Sequence, residues 1–216
     1  MQKAAAFFDV DETIITTKSM FDFYDFWCRE NNKHEELERY MTHFRSEVKK
    51  GTCREQLNKD YYRQFAGVSY KKLESAGEKW FSAKIYSSFF IGSAVALLKK
   101  HKAKNMPVVF VSGSMRPVLS PVAKYLGVTD ILCAPLKITD KGNLTGEIGF
   151  PQTIGRGKME ALIQFCGQRK IHPDDCYAYG DDLSDIPMLE SVGHPVCVGK
   201  STELALYAKE KRWPVI

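Results

Sequence analysis

The chain has 216 residues, of which 44% are hydrophobic, and its formal net charge at pH 7 is +5. A chain of this length can bury one hydrophobic core, or a core with a small accessory domain. The longest apolar stretches, such as residues 107–111, are only as long as a strand, so we predict no membrane span. The first apolar run stops at Asp9, which is too short for the core of a signal peptide.

The cysteines and the distribution of positive charge indicate which cellular compartment and which binding partners to expect. The six cysteines are scattered without a CxxC pair, at positions 28, 53, 133, 166, 176 and 197. We predict free thiols in a cytoplasmic protein; an exported protein with disulfide bonds is the alternative. The basic residues within 99–104 are typical of a solvated helix end, and a nucleic-acid surface is the alternative. We predict no nucleic-acid partner, and a monomer or homodimer.

The first predicted strand, residues 3–8, is short and mostly apolar and ends directly before Asp9 and Asp11. Alternate residues of a strand point to the same side, so we expect the two carboxylates side by side at the strand end. Open α/β sheets keep their active sites at this edge. Carboxylates this close repel each other, so one of them must bind a cation or hold a proton. An ordinary turn after a strand is the alternative interpretation.

After residue 16 the sequence changes to helical periodicity. Apolar and aromatic residues recur at helical spacing from about residue 19 to residue 85, without a strand pattern. Loop signals at residues 31–32, 50–52 and 66–69 divide this segment into four helices. Four short helices of this kind can pack as a small bundle.

From about residue 92 the predicted helices and strands alternate. Strands are predicted at residues 108–111, 131–134, 136–139, 144–148, 176–179 and 196–198, and helices at 94–102, 117–125, 158–168, 185–191 and 203–210. This alternation predicts a mostly parallel sheet with helices on both faces. The first strand must join that sheet to be buried, so the helical segment is an insertion. We predict an α/β core at residues 1–16 and 86–216 and a helical cap domain at residues 17–85.

Polar loops follow two further predicted strands and open one helix. Ser112 and Gly113 follow a strand, and a hydroxyl beside a glycine lets the backbone approach an anion. Lys158 opens a helix, where a flexible ammonium can neutralise phosphoryl charge. Asp181 and Asp185 follow another strand, and carboxylates from separate strand ends suit Mg²⁺. Each loop alone has an ordinary structural explanation, but the combination is far more specific.

Together these motifs resemble the four motifs of the haloacid dehalogenase superfamily, in order and at suitable spacings. They are Asp9-Val10-Asp11-Glu12-Thr13, Ser112, Lys158 and Gly180-Asp181-Asp182-Leu183-Ser184-Asp185. The helical segment resembles the cap of the phosphoserine-phosphatase-like branch, subfamily IB. The resemblance covers nearly the whole chain. It implies a Rossmann-like, mostly parallel α/β sheet flanked by helices, with an inserted helical-bundle cap.

The resemblance also implies an activity, that of an Mg²⁺-dependent phosphatase that hydrolyses a small phosphomonoester through an aspartyl-phosphate. Asp9 would be the nucleophile, and Asp11 the general acid and then the general base. The ligands of Mg²⁺ would be Asp9, the backbone carbonyl of Asp11, Asp181 and the nearby Asp185. The residues that hold the phosphoryl oxygens would be Ser112, Gly113 and Lys158.

Two features separate the chain from a phosphoserine phosphatase. Where that branch has a cap glutamate for the substrate amine, this chain has Lys18, which would repel an ammonium and attract an anion. The position of the cap arginine that binds the substrate carboxylate in that branch has no single match here, since Arg54, Asn58 or Lys59 could each occupy it. We therefore predict a substrate other than phosphoserine, with Lys18 among the binding residues. Aromatic residues within 21–27 predict cap core, with the remainder able to line an apolar pocket.

Two other functions of the same fold are alternatives. A phosphotransferase would use the same residues and differ in how well the closed site excludes water. A module that binds a phosphorylated ligand would keep the fold but would not catalyse a reaction.

Overall fold

The computed structural model describes residues 4–85, 88–200 and 202–216, so residues 3 and 86, which begin predicted segments, lie outside the described residues. Five parallel strands form the main sheet in the order β3-β2-β1-β6-β7, which places β1 at its centre. The strands are β1 (Ala6–Phe8), β2 (Val108–Ser112), β3 (Asp130–Cys133), β4 (Leu136–Ile138), β5 (Leu144–Ile148), β6 (Tyr177–Gly180) and β7 (His194–Cys197). All residues of β1 and β2 are buried, as expected for a parallel sheet covered on both faces.

Four helices follow β1 in the chain, and we call them the helical insert. They are α1 (Ser19–Glu30), α2 (His34–Lys49), α3 (Arg54–Arg63) and α4 (Tyr70–Lys84). Their core is aromatic: the ring of Phe23 stacks on Phe65 and meets Trp80 edge-on. α4 lies so close to Pro117 that a Cβ at Gly77 would come within 2.0 Å of the Pro117 carbonyl oxygen. The insert therefore packs tightly against the sheet region and shares one hydrophobic cluster with it.

The remaining helices cover both faces of the sheet. They are α5 (Gly92–Ala103), α6 (Arg116–Leu126), α7 (Arg156–Arg169), α8 (Ile186–Leu189) and α9 (Glu203–Glu210). Alternate residues of β1 enter different clusters: Phe8 joins Leu98 and Val118, whereas Phe7 joins Leu162. The predicted fold class is confirmed, since the chain forms a mostly parallel, Rossmann-like sheet flanked by helices.

A hairpin beside the sheet connects it to the helical insert. β4 and β5 pair antiparallel, as the predicted turn between them requires. The backbone N–H of Gly67 donates to the carbonyl of Leu144 at 2.8 Å, and the N–H of Leu144 donates to the carbonyl of Val68 at 2.8 Å. These bonds hold the loop between α3 and α4 against the hairpin.

One predicted helix is shorter than expected. The helix predicted at residues 185–191 is the four-residue α8, which a 3₁₀ turn at Leu183–Asp185 precedes. The cause is local, because Asp182 caps the turn by accepting the backbone N–H of Ser184 at 2.8 Å, and Asp185 accepts that of Asp182 at 3.2 Å. Within the described ranges, no helix combines the length and apolar character that crossing a bilayer needs. The six cysteines are free thiols.

Candidate active site

Loops from three adjacent strands meet at the carboxyl edge of the sheet. Asp9 directly follows β1, Ser112 ends β2 and Asp181 directly follows β6, and β1 pairs with both other strands. Lys158, in the first turn of α7, reaches the same point with its ammonium group. All four residues are buried. The fold thus brings together the polar residues that the sequence places far apart.

Lys158 forms a buried charge network with two carboxylates. Its Nζ lies 2.7 Å from Oδ1 of Asp9 and 2.5 Å from Oδ1 of Asp185. The other oxygen of Asp185 accepts the backbone N–H of Asp181 at 3.2 Å. Residue 180 must be glycine, because a Cβ there would lie 2.6 Å from Oδ2 of Asp185. Gly180 therefore allows this carboxylate to approach the end of β6.

The carboxylates of Asp9, Asp181 and Asp185 form a candidate metal site. One oxygen from each lies within 4.8 Å of the others, and all three residues are buried. The Thr13 hydroxyl donates to Oδ1 of Asp181 at 2.7 Å, which orients that carboxylate. Oxygen ligands of this kind suit a hard divalent cation such as Mg²⁺. Because these three carboxylates face the single ammonium of Lys158, an additional cation fits the charge of the site.

Asp11 lies in the wall of the same site and has an unpartnered oxygen. Its Oδ1 is buried and forms no hydrogen bond with the described residues. Burial raises the pKa of Asp11 to about 6, although hydrogen bonding by Ser19 and the charge of Lys158 oppose the shift. A pKa in this range suits a group that releases and takes up a proton near neutral pH.

Burial acts in opposite directions on the pKa values of Asp9 and Lys158 at the centre of the site. It raises the pKa of Asp9 well above its usual range; Lys158 lowers that pKa in part, and neighbouring carboxylates raise it again. Burial lowers the pKa of Lys158, but attraction to Asp185 and Asp9 outweighs burial, so the net shift is upward. Lys158 therefore keeps its positive charge at neutral pH.

The loop after β2 has a fixed backbone. The Ser112 hydroxyl accepts the backbone N–H of Ser114 at 3.1 Å, and the Thr153 hydroxyl donates to the Ser112 carbonyl at 2.5 Å. At Gly113 a Cβ would lie 2.6 Å from Cγ1 of Ile154, so this close approach requires glycine. These contacts hold the predicted anion-binding loop in one conformation.

A cavity of about 470 Å³, here called the site cavity, lies between the helical insert and these loops. Asp9, Asp11, Ser112 and Lys158 line one end, and side chains of α1, α2 and α3 line much of the rest, together with Ile154 and Ser184. The predicted binding residues Ser112, Gly113 and Lys158 therefore share one cavity with the two aspartates of the first motif.

Lys18 and Arg54 also line the site cavity, but both have partners in the protein. The ammonium of Lys18 lies 3.2 Å from Oε2 of Glu12, and both side chains are about half exposed. Arg54 donates to the two carboxylate oxygens of Asp182 at 2.6 and 3.0 Å, and to the Ser184 hydroxyl at 2.9 Å. Arg54 thus joins α3 to the loop after β6.

Two residues of the helical insert hold the loop after β2, and their contacts are a finding of the structure. Asn58 Nδ2 and the Tyr62 hydroxyl both donate to the Gly113 carbonyl, at 3.1 and 2.9 Å. Gln152 Nε2 in turn donates to Oδ1 of Asn58 at 3.0 Å. From the sequence, Asn58 is only one of three candidates for the position of the cap arginine, and no sequence pattern distinguishes Tyr62. Helical periodicity indicates that a side chain is buried, but not which distant carbonyl it meets.

The variant Tyr62→Phe is expected to weaken binding of inorganic phosphate about fivefold, because one hydrogen bond to the loop after β2 is worth about 1 kcal/mol. Titration calorimetry with inorganic phosphate and Mg²⁺ measures the change. Tyr61→Phe is the matched control, since the buried Tyr61 hydroxyl has no hydrogen-bond partner among the described residues. Equal weakening in both variants would show that the Gly113 contact does not matter for phosphate.

The stability of the metal-free protein is expected to fall as the pH rises toward neutrality. Burial raises the pKa of Asp181 to about 7, the hydrogen bond from Thr13 lowers it in part, and Asp185 raises it further. An unfolded chain ionises aspartate at about pH 4. The stabilisation from protonated Asp181 is therefore complete below about pH 4 and is lost by about pH 7.

Urea unfolding with a chelator, between about pH 4 and about pH 8, measures this loss as about 1.4 kcal/mol per pH unit for one group. Asp181→Asn is the control, because an amide cannot ionise but can still accept the Thr13 hydrogen bond. The difference in unfolding free energy between wild type and variant should fall with pH. A constant difference would refute the role of Asp181 in this dependence.

Comparisons with known proteins agree with this arrangement. The family model of the haloacid dehalogenase-like hydrolases matches residues 6–190. A Mycobacterium tuberculosis protein named "Probable phosphatase" is 29% identical over 99% of this chain and 75% of its own length. The crystal structure of a protein of unknown function from Bordetella pertussis Tohama I has a TM-score of 0.89 and 24% identity, covering 100% of this chain and 99% of its own.

A substrate-bound phosphoserine phosphatase has a TM-score of 0.67 and 21% identity, covering 100% of this chain and 93% of its own, so the two share a fold. The family match includes the first motif, the loop after β2, Lys158 and the acidic loop after β6. On this evidence the chain belongs to the haloacid dehalogenase-like hydrolase family.

Proposed function

We propose that the protein is an Mg²⁺-dependent phosphatase that hydrolyses a small phosphomonoester through an aspartyl-phosphate on Asp9. The strongest support is the position of Lys158 Nζ, 2.7 Å from Oδ1 of Asp9 in a buried group of carboxylates. An anionic nucleophile can approach an anionic phosphate only where positive charge lies between them. The names of the mycobacterial relative and the phosphoserine phosphatase are consistent with this reaction class.

In the first half of the proposed reaction, a carboxylate oxygen of Asp9 attacks phosphorus, and the bond from phosphorus to the ester oxygen breaks. The departing oxygen keeps the electron pair of that bond and takes the proton of Asp11, so the alcohol leaves neutral. The unpartnered Oδ1 of Asp11 is available for this contact.

In the second half, Asp11 is a carboxylate and takes a proton from water while the water oxygen attacks phosphorus. The bond between Asp9 and phosphorus then breaks, which releases inorganic phosphate and restores both aspartates. A pKa of about 6 lets Asp11 serve both halves near neutral pH.

The remaining residues have binding roles in this proposal. The Ser112 hydroxyl and the Gly113 backbone hold phosphoryl oxygens, and Lys158 neutralises their charge. Mg²⁺, when bound, would neutralise negative charge on the phosphoryl group and the nucleophile. Its ligands would be Asp9, the backbone carbonyl of Asp11 and Asp181, with Asp185 nearby.

We also propose that the helical insert, residues 17–85, is a cap domain over a core formed by residues 1–16 and 86–216. The support is the site cavity, which is lined both by core residues and by residues of the helical insert. A closed cap would exclude water from the phosphoryl group until the alcohol has left. Six free thiols support a cytoplasmic location, and we expect a small-molecule substrate and a monomer or homodimer.

The test is release of inorganic phosphate from a panel of phosphomonoesters, with Mg²⁺ and without an added acceptor alcohol. Release that depends on Mg²⁺ and is abolished by chelation supports the phosphatase. Transfer only when an acceptor alcohol is supplied would instead identify a phosphotransferase. Binding of phosphate esters without turnover would overturn both and leave a binding module.

A further inference from the structure

The site cavity is larger than its catalytic end requires. At about 470 Å³ it falls within the range of pockets that take a whole small organic molecule. The phosphoryl group would occupy only the end lined by Ser112 and Lys158. The remaining volume therefore faces the part of the substrate that leaves as an alcohol.

The wall around this remaining volume is largely apolar. The residues that form it are Met20, Phe21, Phe44, Val48, Leu57 and Ile154. The rings of Phe21 and Phe44 meet edge to face, with centroids 4.8 Å apart, so α1 and α2 present a continuous aromatic surface. Val48 remains 50% exposed. When a hydrophobic ligand covers apolar surface that is open to water, the burial stabilises the complex.

The polar residues of the wall do not form a site for an ammonium group. Among the described residues that line the cavity, the acids are Asp9 and Asp11, which the reaction itself uses. Lys18 and Arg54 are cations. Glu47 accepts a hydrogen bond from the lining residue Thr52, but it is already paired with Lys50 at 2.7 Å.

We propose that the leaving group is a hydrophobic alcohol without an ammonium group, so that the substrate is an alkyl or aryl phosphate and not a phosphorylated amine or amino acid. This inference rests on the proposed phosphatase function. In the reaction the ester oxygen takes the Asp11 proton, and the hydrophobic body of the alcohol stays against Phe21 and Phe44 until it departs.

The experiment compares kcat/KM for a series of n-alkyl phosphates, from ethyl to octyl, because their leaving oxygens have similar basicity. Each methylene that enters the cavity is expected to raise kcat/KM about fourfold. Phosphoethanolamine is compared with propyl phosphate, which has a methyl group in place of the ammonium. We expect phosphoethanolamine to be at least about tenfold poorer, because its charge would be desolvated without a partner.

The variants Val48→Asp and Phe44→Ala test whether the chain-length effect on kcat/KM arises in the site cavity. Each should reduce the ratio of kcat/KM for octyl over ethyl phosphate about tenfold or more. Val48→Asp should also improve phosphoethanolamine relative to propyl phosphate. Leu206→Asp is the matched control, since Leu206 is 70% exposed on α9, and it should leave both ratios unchanged.

The outcomes separate this inference from the function on which it rests. No phosphate release from any ester would overturn the phosphatase. Release that is independent of chain length, or faster from phosphoethanolamine than from propyl phosphate, would overturn only the hydrophobic leaving group. A chain-length effect that neither cavity variant changes would show that the alcohol binds elsewhere.

Discussion

Phosphate release will be lost in Asp9→Asn, by about 10³-fold or more, because the amide cannot act as the attacking oxygen. The fold should survive. Burial raises the pKa of Asp9 well above its usual range, so the ionised carboxylate lowers the stability of the wild-type protein. The neutral amide of the variant has no such cost. Asp185, 2.5 Å from Lys158 Nζ, still neutralises the lysine.

The measurement is phosphate release under single-turnover conditions, together with urea unfolding of the metal-free protein. Asp174→Asn makes the same chemical change on a side chain that is 80% exposed, and it should leave activity unchanged. Activity of Asp9→Asn near that of wild type would remove Asp9 as the nucleophile. Unfolding of Asp9→Asn would show instead that its carboxylate is needed for the fold.

Lys158→Met is expected to lose both activity and stability. The Lys158 ammonium is the counter-charge of two buried carboxylates, those of Asp9 and Asp185. Removing one partner from such a network leaves buried charge uncompensated and costs about 3–5 kcal/mol at neutral pH. The loss should be smaller at about pH 5 than at about pH 8, because burial raises the pKa of Asp9 and a protonated Asp9 carboxyl no longer needs the lysine.

Urea unfolding at both pH values, without metal, measures this loss. Lys141→Met, at an exposed position of the β4–β5 turn, is the control for the hydrophobic substitution itself. The double variant Asp9→Asn with Lys158→Met should be more stable than the sum of the single changes predicts, since the two residues interact directly. Additive effects would mean that the ion pair contributes nothing to stability.

The meeting of Asp9, Ser112 and Asp181 could be predicted from the sequence for a physical reason. Each residue lies at the end of, or directly after, a short and mostly apolar strand. The carboxyl ends of parallel strands lie at the same edge of a sheet. Lys158 is different, because a lysine at a helix start is usually a surface residue, and it gains weight as a site residue only in combination with the other motifs and the family resemblance. Its catalytic role, like those of the aspartates, stays a prediction until the variants are measured.

Other parts of the site could not be predicted, because they depend on how the helical insert docks. Tyr62 and Asn58 contact Gly113 only once α3 lies across the loop after β2. The ion pair between Arg54 and Asp182 likewise depends on the position of α3. The helix predicted at residues 185–191 is shorter in the structure for a local reason, since the acids of the motif cap a 3₁₀ turn directly before it.

The Gly113 carbonyl and the Ser114 N–H belong to a single peptide unit, which is planar and cannot twist internally. Asn58 and Tyr62 hold the oxygen end of this unit, and its N–H end donates to the Ser112 hydroxyl. A rotation of α3 would therefore turn the plane of this peptide unit and redirect the N–H that the Ser112 hydroxyl accepts. The planar peptide unit thus links the position of α3 to the orientation of the Ser112 hydroxyl, the group that we propose holds a phosphoryl oxygen.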